Sequence, residues 1–353
     1  MKHVLPYALF EASATVALTQ EQIDWLDECV DGSWKLNPQT GLVDVVGSFD
    51  CGEQGLTDLK GVKFGDVSGD FNCYNNQLTT LKGSPQSVGV DFWCNDNQLT
   101  SLVGAPQSVG EDFDCERNQL TSLEGAPQSV GRDFNCYNNQ LTTLVGAPQS
   151  VGGDFWCYSN HLTTLEGAPQ TVGGHFYCYK NQLTTLVGAP QSVGVNFRCD
   201  DNELTSLAGA PQTVGGHFYC EDNHLTSLVG APQSVGEDFD CERNQLTSLE
   251  GAPQSVGRDF NCYNNQLTSL VGAPQSVGQS FRFDGNPVSG STLKDIFALM
   301  RKGIAYQQAL EKCWPKMKGK DRELMYKQMP NLPPEETRKY NALATYANIK
   351  NYL

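Results

Sequence analysis

Cysteine recurs in this chain with a fixed step. Cys73, Cys94, Cys115, Cys136, Cys157, Cys178, Cys199, Cys220, Cys241 and Cys262 are each 21 residues apart, and Cys51 lies 22 before the first. A row of thiols could bind a soft metal or carry out redox chemistry. Metal sites draw their ligands from close pairs along the chain, and 21 is not a ligand spacing. The better reading is a narrow interior position that wants a small apolar side chain. Thirteen cysteines are present. An odd number, with neighbours able to come within bridging reach, favours reduced thiols and a reducing compartment.

Other residues with chemical potential do not converge. His161, His175, His217 and His224 occupy different positions of the repeat, so no metal or catalytic cluster is expected of them. Asp112, Asp133 and Asp154 precede successive phenylalanines and could form a ladder that holds cations weakly, although like charges so placed repel. There is no Walker loop, dinucleotide fingerprint, HExxH or G-x-S-x-G. Turns such as Ser150-Val151-Gly152-Gly153-Asp154 repeat with the period and are bends rather than phosphate loops. The expectation is a protein that is not an enzyme and needs no cofactor.

The elements that position these residues follow from the repeat itself. Phenylalanine recurs at the same step from Phe71 to Phe281, and residues 99 to 142 are identical to residues 225 to 268. One unit reads V-x-x-x-F-x-C-x-x-N-x-L-T-x-L-x-G-A-P-Q. The Phe-x-Cys alternation has strand period, with both side chains on one face. Asparagine at positions such as Asn118 should bond the backbone of the following bend. Proline in Gly-Ala-Pro removes a donor, so the return should be extended or polyproline-like and not helical.

Phe113, Cys115, Asn118 and Leu120, and Phe155, Cys157, Asn160 and Leu162, fall where the leucine-rich repeat has L-x-L-x-x-N-x-L. The chain resembles that family over residues 49 to 288. Phenylalanine and cysteine replace two leucines, and the apolar residue before the strand stands four positions ahead of the phenylalanine, at Val109 or Val151. The resemblance implies a β-rich solenoid: one parallel sheet of about twelve units, roughly 50 Å long, with non-helical convex returns.

The ends differ from the middle. Residues 1 to 48 read as a cap of helix and strands, with a capping box at Thr19 and Gln22. Residues 289 to 353 read as an α-helical domain: Leu293, Ile296, Phe297 and Met300 have helical spacing, and Pro334 suits a first helical turn. Charge divides likewise. Residues 1 to 290 hold 12 basic against 34 acidic residues, and residues 291 to 353 hold 12 against 6. So acidic a solenoid repels nucleic acid, which only the basic tail could touch. No segment is long and apolar enough to span a bilayer, and Pro6 and Glu11 interrupt the one signal-like stretch, so a cytoplasmic protein is expected.

In such a solenoid the variable residues flanking each cysteine face the concave side. Tyr137, Trp156, Tyr158, Tyr177, Tyr179, Lys180, Arg198 and Tyr219 then gather over the central units, bordered by Asp200, Asp201, Glu203, Glu221 and Asp222. Exposed aromatics and arginine are the usual anchors of protein interfaces. The competing reading is that tyrosines here only pack as cross-strand ladders. The expected function is therefore a protein-binding solenoid with a partner of basic character. The alternative is an acidic mimic of nucleic acid that occupies a DNA- or RNA-binding protein. The returns, the segment from Trp34 to Asn37 and the helical tail resemble uncharacterised bacteriophage and bacterial repeat proteins. By analogy alone, a viral binding module of this kind is expected to inhibit a host protein, such as a defence factor, in the host cytoplasm.

Overall fold

The computed structural model describes residues 17 to 287, apart from 269 and 271. The expected helical domain, its basic charge and the signal-like stretch up to residue 16 lie outside the described residues.

The chain starts with a cap. Helix α1 (Gln20–Cys29) begins at Thr19, whose side chain accepts the Gln22 backbone N–H while the Gln22 side chain accepts that of Thr19. This reciprocal bonding satisfies two helix-end donors. Trp25, Leu26 and Cys29 turn inward and close the first turn of the solenoid. Strands β1 (Val30–Leu36) and β2 (Val43–Asp50) follow as an antiparallel hairpin.

Strand β2 is long enough to seed two ladders. Its first part pairs in parallel with β3 (Phe64–Val67) and its end pairs with β4 (Phe71–Asn72). From β4 a phenylalanine ladder runs through eleven two-residue strands to Phe281–Arg282 among the described residues. From β3 a valine ladder of Ser-Val or Thr-Val pairs runs to Ser276–Val277. Each strand pairs with its counterpart 21 residues away: Phe134 with Phe155, Ser150 with Thr171.

The valine ladder extends the expected parallel sheet around the return, since both ladders join through β2 into one sheet among the described residues. An extended return leaves backbone N–H and C=O groups that must be paired when buried. Here they pair between neighbouring turns: Gln107 N donates back to Gln86 O at 2.9 Å and Gly110 N to Val88 O at 3.0 Å. Val109 is buried beneath this pairing. The backbones come so close at the following corner that a Cβ on Gly131 would overlap the carbonyl oxygen of Gly110.

The interior is a set of columns. Phe, Cys, two Leu and Val from each turn are buried. Neighbouring phenyl rings such as Phe92 and Phe113 stack at 5.5 Å with planes 7° apart. Asn118 donates from Nδ2 to the carbonyls of Cys94, Cys115 and Glu116 and accepts the Leu99 N–H at Oδ1. The residue before it, Arg117, has φ 48°, which turns the chain out of the strand. The ladder cysteines are buried and unbridged. Several donate to the next turn, as Cys178 Sγ does to Arg198 O at 3.2 Å. Among the described residues no helix is long and apolar enough to cross a membrane.

Candidate functional site

Alternation along Phe-x-Cys-x buries the named residues and turns the intervening ones outward. Two columns result on the outer face of the phenylalanine ladder. One holds Trp156, Tyr177, Arg198 and Tyr219; the other holds Tyr137, Tyr158, Tyr179, Asp200 and Glu221.

The second column contains a continuous stack. Tyr137 and Tyr158 lie 4.4 Å apart with planes at 11°, and Tyr158 and Tyr179 lie 4.4 Å apart at 7°. A guanidinium closes each end. Arg117 stands 5.8 Å from the Tyr137 centroid and Arg198 stands 4.5 Å from that of Tyr179. Arg198 also reaches Tyr177 at 5.9 Å and Tyr219 at 5.6 Å, while Tyr177 meets Tyr179 edge-on. Lys180, exposed at the bend with φ 51°, reaches Tyr179 at 5.8 Å. Trp156 pairs in register with Tyr177, and its Nε1 is buried without a hydrogen-bond partner.

The aromatics were expected to be exposed anchors, and here they are half-buried. Stacking occupies the ring faces of the three column tyrosines, so edges and hydroxyls are what remain for a partner. Asp200 was expected on a solvated rim. It is instead 3% exposed and binds Arg198 through two hydrogen bonds of 2.9 and 2.7 Å.

Burial controls the charge of the neighbouring acids. It pushes the Asp114 carboxyl up to about 7, with hydrogen bonds from Glu116 N and Asn135 opposing the shift. The identical downstream block repeats the arrangement: burial raises Asp240 to about 6 against a hydrogen bond from Asn261. Glu221 rises to about 8 through burial and the nearby Asp200 and Asp240. Burial also pushes the Tyr158 phenol up to about 12, with Tyr179 adding to the shift.

The acids before each phenylalanine have a structural use. Asp112 Oδ1 accepts Asp133 N at 3.1 Å, Asp133 Oδ1 accepts Asp154 N at 2.7 Å, and Asp154 Oδ1 accepts His175 N at 2.6 Å. This corrects the notion of a cation ladder, because those oxygens serve as backbone acceptors. His217 Nε2 lies 2.9 Å from a Glu237 carboxylate oxygen, and its Nδ1 accepts the Asp238 backbone N–H at 3.2 Å. Among the described residues no group of three or more His, Cys, Asp or Glu is arranged to hold a metal ion.

Sequence reading found the aromatic positions and missed the bracketing by Arg117 and Arg198. It named Glu221 only as a rim acid and did not single out the half-buried Asp114 and Asp240. The order Phe113-Asp114-Cys115-Glu116-Arg117 does place acids at outward positions beside an arginine. Their partners, however, stand a full turn away.

These features define a leucine-rich-repeat-like parallel solenoid with an aromatic strand face. Solved structures agree on the fold. The chain is similar to YopM, a leucine-rich effector protein from Yersinia pestis, at 22% identity and TM-score 0.50, covering 69% of this chain and 67% of that one. It is similar to YopM from Yersinia enterocolitica WA-314 at 20% identity and TM-score 0.50, covering 76% of this chain and 64% of that one. No protein-family model and no curated protein matches the chain.

Proposed function

We propose that the chain works by binding another protein through the outer face of its phenylalanine ladder, without catalysis. The observation that carries this is the stack Arg117–Tyr137–Tyr158–Tyr179–Arg198, a rigid run of rings and guanidinium groups on one face. The interior is already filled by Phe, Cys and Leu, so these outward side chains are not needed to build the core. Tyrosine, tryptophan and arginine offer large contact area at small entropy cost. YopM is named a leucine-rich effector protein, and a binding role for this chain accords with the shared architecture. An inhibitor of a host defence protein, encoded by a bacteriophage and acting in the host cytoplasm, is the biological setting we favour. The nucleic-acid mimic is disfavoured because carboxylates on this face are taken up by Arg117, Arg198 and Arg243.

The test is capture of partners from a host lysate by the whole chain and by Trp156→Ala/Tyr177→Ala, with thermal melting followed in parallel. Binding should weaken by ~2 kcal/mol or more for the double variant while it stays folded. Equal capture by the folded double variant overturns the proposal.

A further inference from the structure

The arginines of the outer face are engaged locally. Arg117 pairs with Asp96 and Glu116, Arg198 with Asp200, Arg243 with Asp222 and Glu242. Glu221 lies between the last two groups. Its Oε2 is buried and accepts no hydrogen bond. Once ionised, that oxygen lacks a donor, and a cation brought by a partner to the half-buried side chain would stabilise the charge. The surroundings agree in sign: residues 1 to 290 carry 34 acidic against 12 basic residues. The tyrosine edges stand three turns away, since Tyr158 and Glu221 are 63 residues apart at 21 per turn. Three parallel strand spacings are ~14 Å, which an extended peptide crosses in about four residues.

We propose that this face takes a basic, extended segment of a protein partner, with an apolar side chain against the edges of Tyr137, Tyr158 and Tyr179 and an arginine or lysine about four residues away against Glu221. This rests on the binding function above and specifies the partner's chemistry. Arg198, Asp200, Tyr219, Asp222, Asp240, Glu242 and Arg243 are charged or titratable groups around Glu221, with the thiols of Cys199, Cys220 and Cys241 beneath. Burial and the two aspartates hold the Glu221 carboxyl protonated up to about pH 8. Capture of a cation then requires loss of that proton, so binding tightens as pH rises towards 8, by up to about tenfold per unit.

The probe is a fluorescein-labelled nonapeptide of serine and glycine with tryptophan at position three and arginine at position seven. Controls carry glutamate at position seven, or arginine at position five. Fluorescence anisotropy with the full chain at low salt should show binding of the first peptide, at least tenfold weaker binding of both controls, and tightening from pH 6 to 8. Glu221→Gln should weaken binding at least tenfold and remove the pH dependence. Glu124→Gln, on the exposed return, should leave binding unchanged. Absence of binding, or equal losses for the two glutamine variants, overturns the proposal. Should a lysate partner depend on Trp156 and Tyr177 but not on Glu221, the basic-segment proposal fails while the binding function stands. If the partner depends on none of them, both fail.

Discussion

Arg198 holds Asp200 in a two-pronged ion pair, Nε to Oδ1 at 2.9 Å and an Nη to Oδ2 at 2.7 Å, while its guanidinium covers the exposed end of the Tyr179 stack. One side chain thus neutralises a buried acid and closes an aromatic column. Arg198→Ala should destabilise the fold by roughly 2 kcal/mol, less than a fully buried pair because a third of the Arg198 side chain meets water. Arg198→Lys should recover part of the loss, since it restores charge without the paired geometry. Urea denaturation of both variants measures the difference.

Phe155→Ala should cost roughly 3–5 kcal/mol. Its ring is buried between Phe134 at 5.2 Å and Phe176 at 5.4 Å. A loss below about 1 kcal/mol in urea denaturation would contradict a tightly packed column.

Asn160 supports the bend of its own turn and the start of the preceding one. Nδ2 donates to the carbonyls of Cys136, Cys157 and Tyr158, and Oδ1 accepts Leu141 N. Asn160→Ala should cost roughly 3 kcal/mol or more, because buried backbone groups lose their partners. Asn160→Asp should fare no better, since it keeps the acceptor but loses the donors. Chemical denaturation of the two variants checks the ranking.

The ladder thiols should resist alkylation in the native protein. Burial raises the pKa of Cys115, Cys136 and Cys157 and encloses the sulfur, so little thiolate forms and reagent cannot reach it. Mass spectrometry after a brief iodoacetamide pulse at pH 8 should find these sites unmodified when folded and modified in denaturant. Rapid native labelling of most of them would sink the interior assignment.

Stability should fall as pH rises from 5 to 8. Asp114 and Asp240 are raised to about 7 and about 6, so the folded chain holds their protons more tightly than the unfolded chain. That contribution is complete below about pH 4, where both states are protonated, and is lost as pH passes through the folded values. Melting temperatures of the Asp114→Asn/Asp240→Asn variant should vary less over this range than those of the unsubstituted chain. An unchanged slope would show that these carboxyls titrate normally.

The sequence by itself determined whatever depends on spacing along the chain. The 21-residue step set the parallel stacking, Phe-x-Cys set which side chains point inward, and Thr19 with Gln22 marked the helix start. Periodicity and capping act over a few residues, so they are legible in one dimension. Only the tertiary structure decided what stands one turn away. The returns pair into a second ladder because their extended backbone groups meet those of the next turn. The tyrosines present edges because their faces meet other tyrosines, and Asp200 is neutralised while Glu221 is not because Arg198 bends towards the first. Packing and electrostatics act through space, between residues 21 or more positions apart. The same side-chain types therefore become anchor, filler or unpaired acid according to their neighbours.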